Sequence, residues 1–319
     1  MQLTATKLKN RICSPFKGVL VILILSTLPY FHDIISTKDG LKDWVPILGI
    51  ERLLTGTDKS ILGYSTYRVF LYTFLIFSFG MVGFLKWFSS AKHKFYRYAL
   101  IGATISSIYH VMLILFKLRR TVLNDPEYKL LGLALLFLTL ALLTINKQWN
   151  NSTKKASIVF KTIGFCVAFF LISLLPFLHD VITDRNGLLP HIPNLGIEKM
   201  LTDENNMVRG LNSYRLLLYL LGIYLFAHIP WIGAFMDSRG SRIRPFLLVP
   251  VVLSLYQVII ILMSWRETEF NSPSANLYIT LGLSLLLAIN FFYNNKVSPE
   301  TRIIQKERAT IKSNENENR

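Results

Sequence analysis

Three polar motifs of this sequence bring together side chains that could bind an anion or move a proton. A Pro-x-x-His-Asp motif ends at His32 and Asp33, a glutamate follows at Glu51, and a Tyr-Arg pair stands at Tyr67 and Arg68. A histidine beside a carboxylate can exchange protons near neutral pH. An arginine guanidinium can hold a phosphate or a carboxylate. We therefore take Asp33, Glu51, Tyr67 and Arg68 as candidate binding residues and His32 as a candidate acid–base catalyst.

All three motifs occur again 147 residues further along the chain. Between residues 28 and 72, 19 of 45 positions are identical to their counterparts, and the alignment needs no gap. Such self-similarity indicates the duplication of one structural unit, so that a role given to one set of residues must also suit the other. The second set consists of the candidate catalyst His179 and the candidate binding residues Asp180, Glu198, Tyr214 and Arg215.

The two aspartates predict specific ion pairs. Each lies at the end of an apolar segment, where the negative end of a helix dipole disfavours a carboxylate. Each therefore needs a cation, and an arginine that begins the next segment can donate two parallel hydrogen bonds to it. We predict that Asp33 pairs with Arg68 and that Asp180 pairs with Arg215. Glu51 and Glu198 are the competing partners of the two arginines.

The elements that must position these residues are transmembrane helices. The chain has 319 residues, of which 52% are hydrophobic and 17% charged, whereas soluble domains carry about 25% charged residues. Its apolar residues form eight blocks that approach the ~20 residues needed to cross a bilayer. We predict an all-α polytopic membrane protein with eight transmembrane helices, at Gly18–Ile35, Val69–Phe88, Tyr98–Phe116, Leu130–Ile145, Thr162–Ile182, Leu216–Phe235, Phe246–Trp265 and Leu277–Tyr293.

The duplication also predicts the organisation of the chain. Four helices per copy return the chain to its starting side, so the repeats should be parallel and related by a pseudo-two-fold axis along the membrane normal. The predicted segments are a basic cytoplasmic lead (1–17), the first four-helix repeat (18–149), a cytoplasmic linker (150–161), the second repeat (162–295) and a charged cytoplasmic tail (296–319).

The distribution of charge predicts the orientation. If the N-terminus is cytoplasmic, the whole net charge of +16 falls on cytoplasmic segments, and the outer loops carry equal numbers of basic and acidic residues. This asymmetry is the positive-inside bias. It predicts a multi-pass plasma-membrane protein, best suited to a bacterial inner membrane, with both termini cytoplasmic. Its predicted partners are the bilayer and anionic lipid headgroups on the cytoplasmic face, and nucleic acid is excluded because no basic motif supports it.

The remaining residues offer weaker functional signals. His110 and His228 lie inside apolar blocks, and we expect them to form hydrogen bonds between helices. Cys13 and Cys166 predict no disulfide, and the absence of HExxH, CxxC, phosphate-loop and dinucleotide motifs predicts neither a metal nor another cofactor.

Three functions remain open from the sequence. The first is a non-enzymatic protein that binds or passes a small solute or a lipid headgroup at a duplicated extracytoplasmic site. The second is a membrane enzyme for a lipid or lipid-linked substrate, with His32 or His179 as acid–base and Arg68 or Arg215 as anion clamp. The third is a partner-binding or immunity protein. Under a competing structural interpretation, the polar residues only tie loops to helix ends.

Overall fold

The structure is a computed structural model of the protein. The structure describes residues 2–37, 41–45, 61–62, 64, 66–91, 94–116, 118, 121–149, 155–183, 188–189, 201–202, 207–209, 211–238, 241, 243–264 and 268–296. Residues 297–319 of the predicted tail and residues 150–154 of the predicted linker lie outside these ranges.

Helices make up the regular structure of the described residues. Among the described residues, short 3-10 turns lie at Val122–Asn124, Leu175–Phe177, Arg244–Leu247 and Glu269–Asn271. The helices are α1 Gln2–Ile35, α2 Tyr67–Ser90, α3 Lys94–Leu115, α4 Pro126–Trp149, α5 Lys155–Leu174, α6 Leu178–Ile182, α7 Tyr214–Asp237, α8 Leu248–Leu262 and α9 Pro273–Lys296.

Seven helical segments of the described residues are long and apolar enough to cross a membrane, which confirms a polytopic all-α membrane protein. In α9 the apolar stretch is the shorter Ser274–Ile289, so the eighth span stays a prediction. The seven segments are Gly18–Ile35, Tyr67–Ser90, Tyr96–Leu115, Pro126–Lys147, Ala156–Ile182, Tyr214–Asp237 and Arg244–Leu262.

The chain divides into two compact units, Met1–Thr280 and Leu281–Arg319. The first unit contains every residue of the candidate site. The described part of the second unit is the C-terminal portion of α9, which ends at Lys296. At the other end of the chain, α1 begins at Gln2, so the predicted basic lead continues the first helix.

Helices α2 and α7 approach each other closely in the first unit. A methyl group on Gly80 of α2 would lie 3.0 Å from the Cα atom of Ala227 in α7. Small residues allow two helix backbones to approach in this way. Towards the C-terminal end of the same pair, the Trp87 ring lies so near Gly233 that a methyl group there would fall 2.2 Å from it.

Aromatic side chains fill the space around this contact. The Phe79 and Trp231 rings stack with centroids 5.0 Å apart, and those of Phe84 and Phe226 lie 5.2 Å apart. All four side chains are almost completely buried. Aromatic pairs at such distances contribute about 0.5–1.5 kcal/mol beyond their buried area, so they help to fix α2 against α7.

A carboxylate links three helices at the end of this pair that is remote from His32. Asp237, the last residue of α7, accepts a 2.7 Å hydrogen bond from Trp87 Nε1 and another from the Tyr96 hydroxyl of α3. Because the acceptor is ionised, these hydrogen bonds are stronger than neutral ones. These hydrogen bonds join α2, α3 and α7 at one end, and the candidate site lies at the opposite end of these helices.

Candidate functional site

The structure confirms the predicted ion pair at the end of α1. Arg68, the second residue of α2, donates from an Nη atom to Asp33 Oδ1. His32 Nε2 lies 3.3 Å from the same oxygen. The Asp33 side chain is 16% exposed and that of Arg68 is 39% exposed, so the carboxylate is mostly withdrawn from solvent and the guanidinium is not.

The second predicted ion pair is also present. Arg215 of α7 donates to Asp180 Oδ1 of α6, and His179 Nε2 lies 3.2 Å from that oxygen. The exposed fractions of the two side chains, 41% for Arg215 and 19% for Asp180, are close to those of the first pair. The His–Asp–Arg arrangement therefore occurs twice with nearly the same geometry.

A tyrosine edge packs on each histidine of the two arrangements. Tyr72 lies with its ring centroid 4.9 Å from that of His32, and Tyr219 lies at the same distance from His179. The Nδ1 atoms of both histidines are buried without a well-aligned hydrogen-bond partner among the described residues. Each ring is thus held by a neighbouring aspartate and a tyrosine edge.

Local hydrogen bonds set the positions of these side chains. The Ser36 hydroxyl donates to the His32 carbonyl, and the Thr183 hydroxyl donates to the His179 carbonyl, each at 2.5 Å. Thr66 and Ser213 cap the N-termini of α2 and α7 through their side-chain oxygens, as short hydroxyl residues commonly do. Both arginines therefore follow a fixed helix start and meet an aspartate at a fixed helix end.

A cavity of about 1140 Å³ lies between the two arrangements. Its wall combines charged groups with amide, tyrosine and aliphatic side chains, the mixture found in sites that bind amphipathic small molecules. The polar residues that line it are Tyr30, His32, Asp33, Tyr64, Arg68, Tyr72, Thr73, His110, Asn124, Lys129, His179, Asp180, Ser213, Arg215, Tyr219, Tyr224, Gln257, Asn271 and Asn276.

The two halves of the sequence contribute to this wall at equivalent positions. Apolar lining residues also recur 147 positions apart, as Val69 and Leu216 or as Leu113 and Ile260. The cavity therefore has two walls of similar construction, one from each copy of the repeated sequence.

Some candidates from the sequence do not take part in the described site. Glu51 and Glu198 lie outside the described residues, so their roles stay predictions. Tyr67 is buried 6.0 Å from the Phe70 ring, and neither Tyr67 nor Tyr214 is among the residues that line the cavity.

Two histidines differ from the expectation of hydrogen bonds between helices. His110 Nδ1 donates to the Ser106 carbonyl of its own helix at 2.8 Å. Both ring nitrogens of His228 are buried without a hydrogen-bond partner among the described residues. The expectation was wrong because aromatic contacts hold these rings: Phe77 stacks on His110 at 5.0 Å, and Tyr224 lies 5.6 Å from His228.

Several lining residues were missed at the level of sequence. Tyr72 and Tyr219 are identical between the repeats, and each lies four residues after an arginine, which puts it on the same helix face. Both facts were usable signals. Asn124 and Asn271 looked like turn residues. Within the described residues, no group of three His, Cys, Asp or Glu side chains could hold a metal ion.

No protein-family model matches this chain, and no curated protein or solved structure does so either.

Proposed function

We propose that this protein is a membrane-embedded binding protein whose cavity holds or passes a small solute or the headgroup of a lipid. The observation that carries the proposal is that both His–Asp–Arg arrangements line one cavity of about 1140 Å³. Small-molecule sites span about 300–1,000 Å³, so the volume suits a ligand of that size or larger.

The arginines favour binding over a purely structural role. If each ion pair served only to attach a loop to a helix end, we would expect both of its side chains to be buried. The Arg68 and Arg215 side chains instead keep 39% and 41% of their surface exposed and line the cavity. A guanidinium has five N–H donors, so donation to an aspartate leaves it able to contact a ligand as well.

The histidines favour binding over acid–base catalysis. A catalytic base must come within about 2.6–3.2 Å of the proton that it takes. In both histidines Nε2 lies beside an aspartate oxygen and Nδ1 is buried. Acid–base chemistry would require each ring to turn away from its aspartate.

We further propose that the two halves form parallel four-helix repeats related by a pseudo-two-fold axis. Such an axis brings equivalent positions into contact and makes each contact reciprocal. Gly80 and Ala227, which touch, are 147 positions apart. The same operation converts the pair Phe84–Phe226 into the pair Trp231–Phe79, and both pairs occur.

We also propose that the protein spans the plasma membrane with both termini in the cytoplasm, which puts the cavity on the extracytoplasmic side. The support is the charge bias of the sequence. Basic residues flank the ends of α2 and α3 that lie away from the cavity, as Lys86 and Arg97 do. The same bias favours anionic lipid headgroups on the cytoplasmic face.

A pair of tryptophan substitutions in α2 tests the binding proposal. Val69 and Leu85 are both 44% exposed, but only Val69 lines the cavity. Val69→Trp should fill part of the cavity and reduce the fraction of protein that carries a bound non-protein mass in native mass spectrometry. Leu85→Trp is the matched control and should leave that fraction unchanged. Equal bound fractions in the two variants would contradict the proposal.

A further inference from the structure

The two walls of the cavity differ in their basic side chains at two pairs of equivalent positions. The first wall has His110 on α3 and Lys129 on α4, where the second wall has Gln257 on α8 and Asn276 on α9. Both members of each pair line the cavity. These substitutions therefore change the lining of the cavity, although the aspartates and the arginines are the same in both walls.

The second wall is neutral at these positions. Gln257 Nε2 donates to Asn276 Oδ1 at 3.0 Å, and the two side chains are buried, with 4% and 1% of their surface exposed. Their amides satisfy each other in part, since each amide has two donors and an acceptor oxygen. This wall can therefore offer neutral donors and acceptors but no charge.

The first wall carries a cation and an unsatisfied histidine. His110 is 6% exposed, and its Nε2 atom has no hydrogen-bond partner among the described residues. His110 and Lys129 both lie against the ring of Phe177. The centroid of this ring lies 6.1 Å from that of His110 and 5.4 Å from Lys129 Nζ. The lysine ammonium and the histidine therefore lie close together among the residues that line the cavity.

We propose that the ligand has one anionic group, a phosphate ester or a carboxylate, which binds Lys129 of the first wall, a hydroxyl that donates to His110 Nε2, and a neutral hydrogen-bonding part on the Gln257–Asn276 wall. Because His110 Nδ1 donates to the Ser106 carbonyl, the Nε2 atom of the neutral ring accepts a hydrogen bond. This inference rests on the proposed binding function. The charged side chains among the described lining residues are two aspartates, two arginines and Lys129. The aspartates and the arginines occur in both walls, whereas the equivalent of Lys129 is the uncharged Asn276, so the first wall has one additional cation that can hold an anionic group.

Lipid and phosphate titrations of the purified full chain in neutral detergent test this proposal. The probes are phosphatidylglycerol, diacylglycerol and inorganic phosphate, and the measurement is the concentration of each that raises the melting temperature. Phosphatidylglycerol should act at a concentration at least about tenfold lower than diacylglycerol, which lacks the phosphate, because a hydrogen bond to a charged group is worth that much or more. If inorganic phosphate raises the melting temperature and phosphatidylglycerol does not, the anionic group belongs to a free anion rather than to a lipid. Stabilisation by neither anion would overturn the proposal.

Three lysine variants localise the effect. Lys129→Gln should abolish the preference for the anionic probe. Lys147→Gln, near the other end of the same helix, where the ammonium contacts the Tyr98 hydroxyl at 2.8 Å, should keep it. Lys129→Arg preserves the charge and must also keep it, and this variant remains informative if Lys129→Gln does not fold.

The outcomes separate the two proposals. Equal losses in Lys129→Gln and Lys147→Gln, or loss of the preference in Lys129→Arg, would overturn the assignment of the anionic group to this wall. If Val69→Trp loses its bound mass at the same time, the binding function stands and only the charge assignment fails. The absence of any bound mass from the unmodified protein would instead remove the function on which the inference rests.

Discussion

At the scale of single residues, the ion pairs were predictable and the cavity lining was only partly so. A carboxylate in the last turn of an apolar helix needs a nearby cation, which identified Arg68 for Asp33 and Arg215 for Asp180. The roles of His110 and Gln257 depend on which way α3 and α8 face, and the rotation of a helix about its axis is not fixed by an apolar sequence that offers several similar faces. Residues of this second kind need the packed structure.

The Asp33–Arg68 pair should behave as one energetic unit. Arg68→Gln leaves a mostly buried carboxylate without its guanidinium, which costs about 1–3 kcal/mol and lowers the melting temperature in detergent by several degrees. Combining it with Asp33→Asn should cost little more than either substitution alone, because the interaction can be lost only once. Fully additive losses would show that the two side chains do not stabilise the fold together. If the repeats are equivalent, Arg215→Gln should match Arg68→Gln.

At the scale of elements, the repeat predicted equivalent helices, but the structure departs from equivalence between α1 and the segment α5–α6. Pro29 leaves α1 continuous, whereas its counterpart Pro176 lies in a 3-10 turn between α5 and α6. A methyl group on Gly222 of α7 would lie 2.2 Å from the Leu175 carbonyl oxygen. The position equivalent to Gly222 is Leu75, so only the second half permits this close approach.

Gly222 therefore sets the position of the turn that leads to His179. Gly222→Ala should displace the Leu175 carbonyl, lower the melting temperature and reduce the bound fraction, since the turn carries Pro176 of the cavity wall. Gly164→Ala in α5 is the control: a methyl group there would meet nothing within 4 Å, and alanine favours a helix by up to about 1 kcal/mol over glycine. A melting temperature that falls equally in both variants would contradict the role of Gly222.

At the scale of the whole molecule, the membrane class followed from apolar blocks of bilayer length, and the seven long apolar helices among the described residues bear it out. The blocks also predicted most helix positions within a few residues, because apolar length decides where a span can lie. The cavity did not follow from the sequence. It depends on how α2 and α7 meet, and apolar blocks specify that helices pack without specifying which faces meet.

The proposed orientation can be measured by labelling intact cells. In a chain with Cys13→Ser and Cys166→Ser, a membrane-impermeant maleimide should label the Trp44→Cys variant, since Trp44 is 63% exposed and follows α1 on the cavity side. The Ser89→Cys variant, at the exposed opposite end of α2, should react only after the membrane is permeabilised. The reverse pattern of labelling would place both termini outside the cytoplasm.

The claim that two similar walls enclose a ligand site is tested most directly by the native mass spectrum of the unmodified chain, purified in mild detergent without added ligand. The account predicts a population whose mass exceeds that of the polypeptide by one discrete non-protein species, and predicts that Val69→Trp depletes it while Leu85→Trp does not. A spectrum of bare polypeptide, or an extra mass that both variants retain equally, would contradict the account.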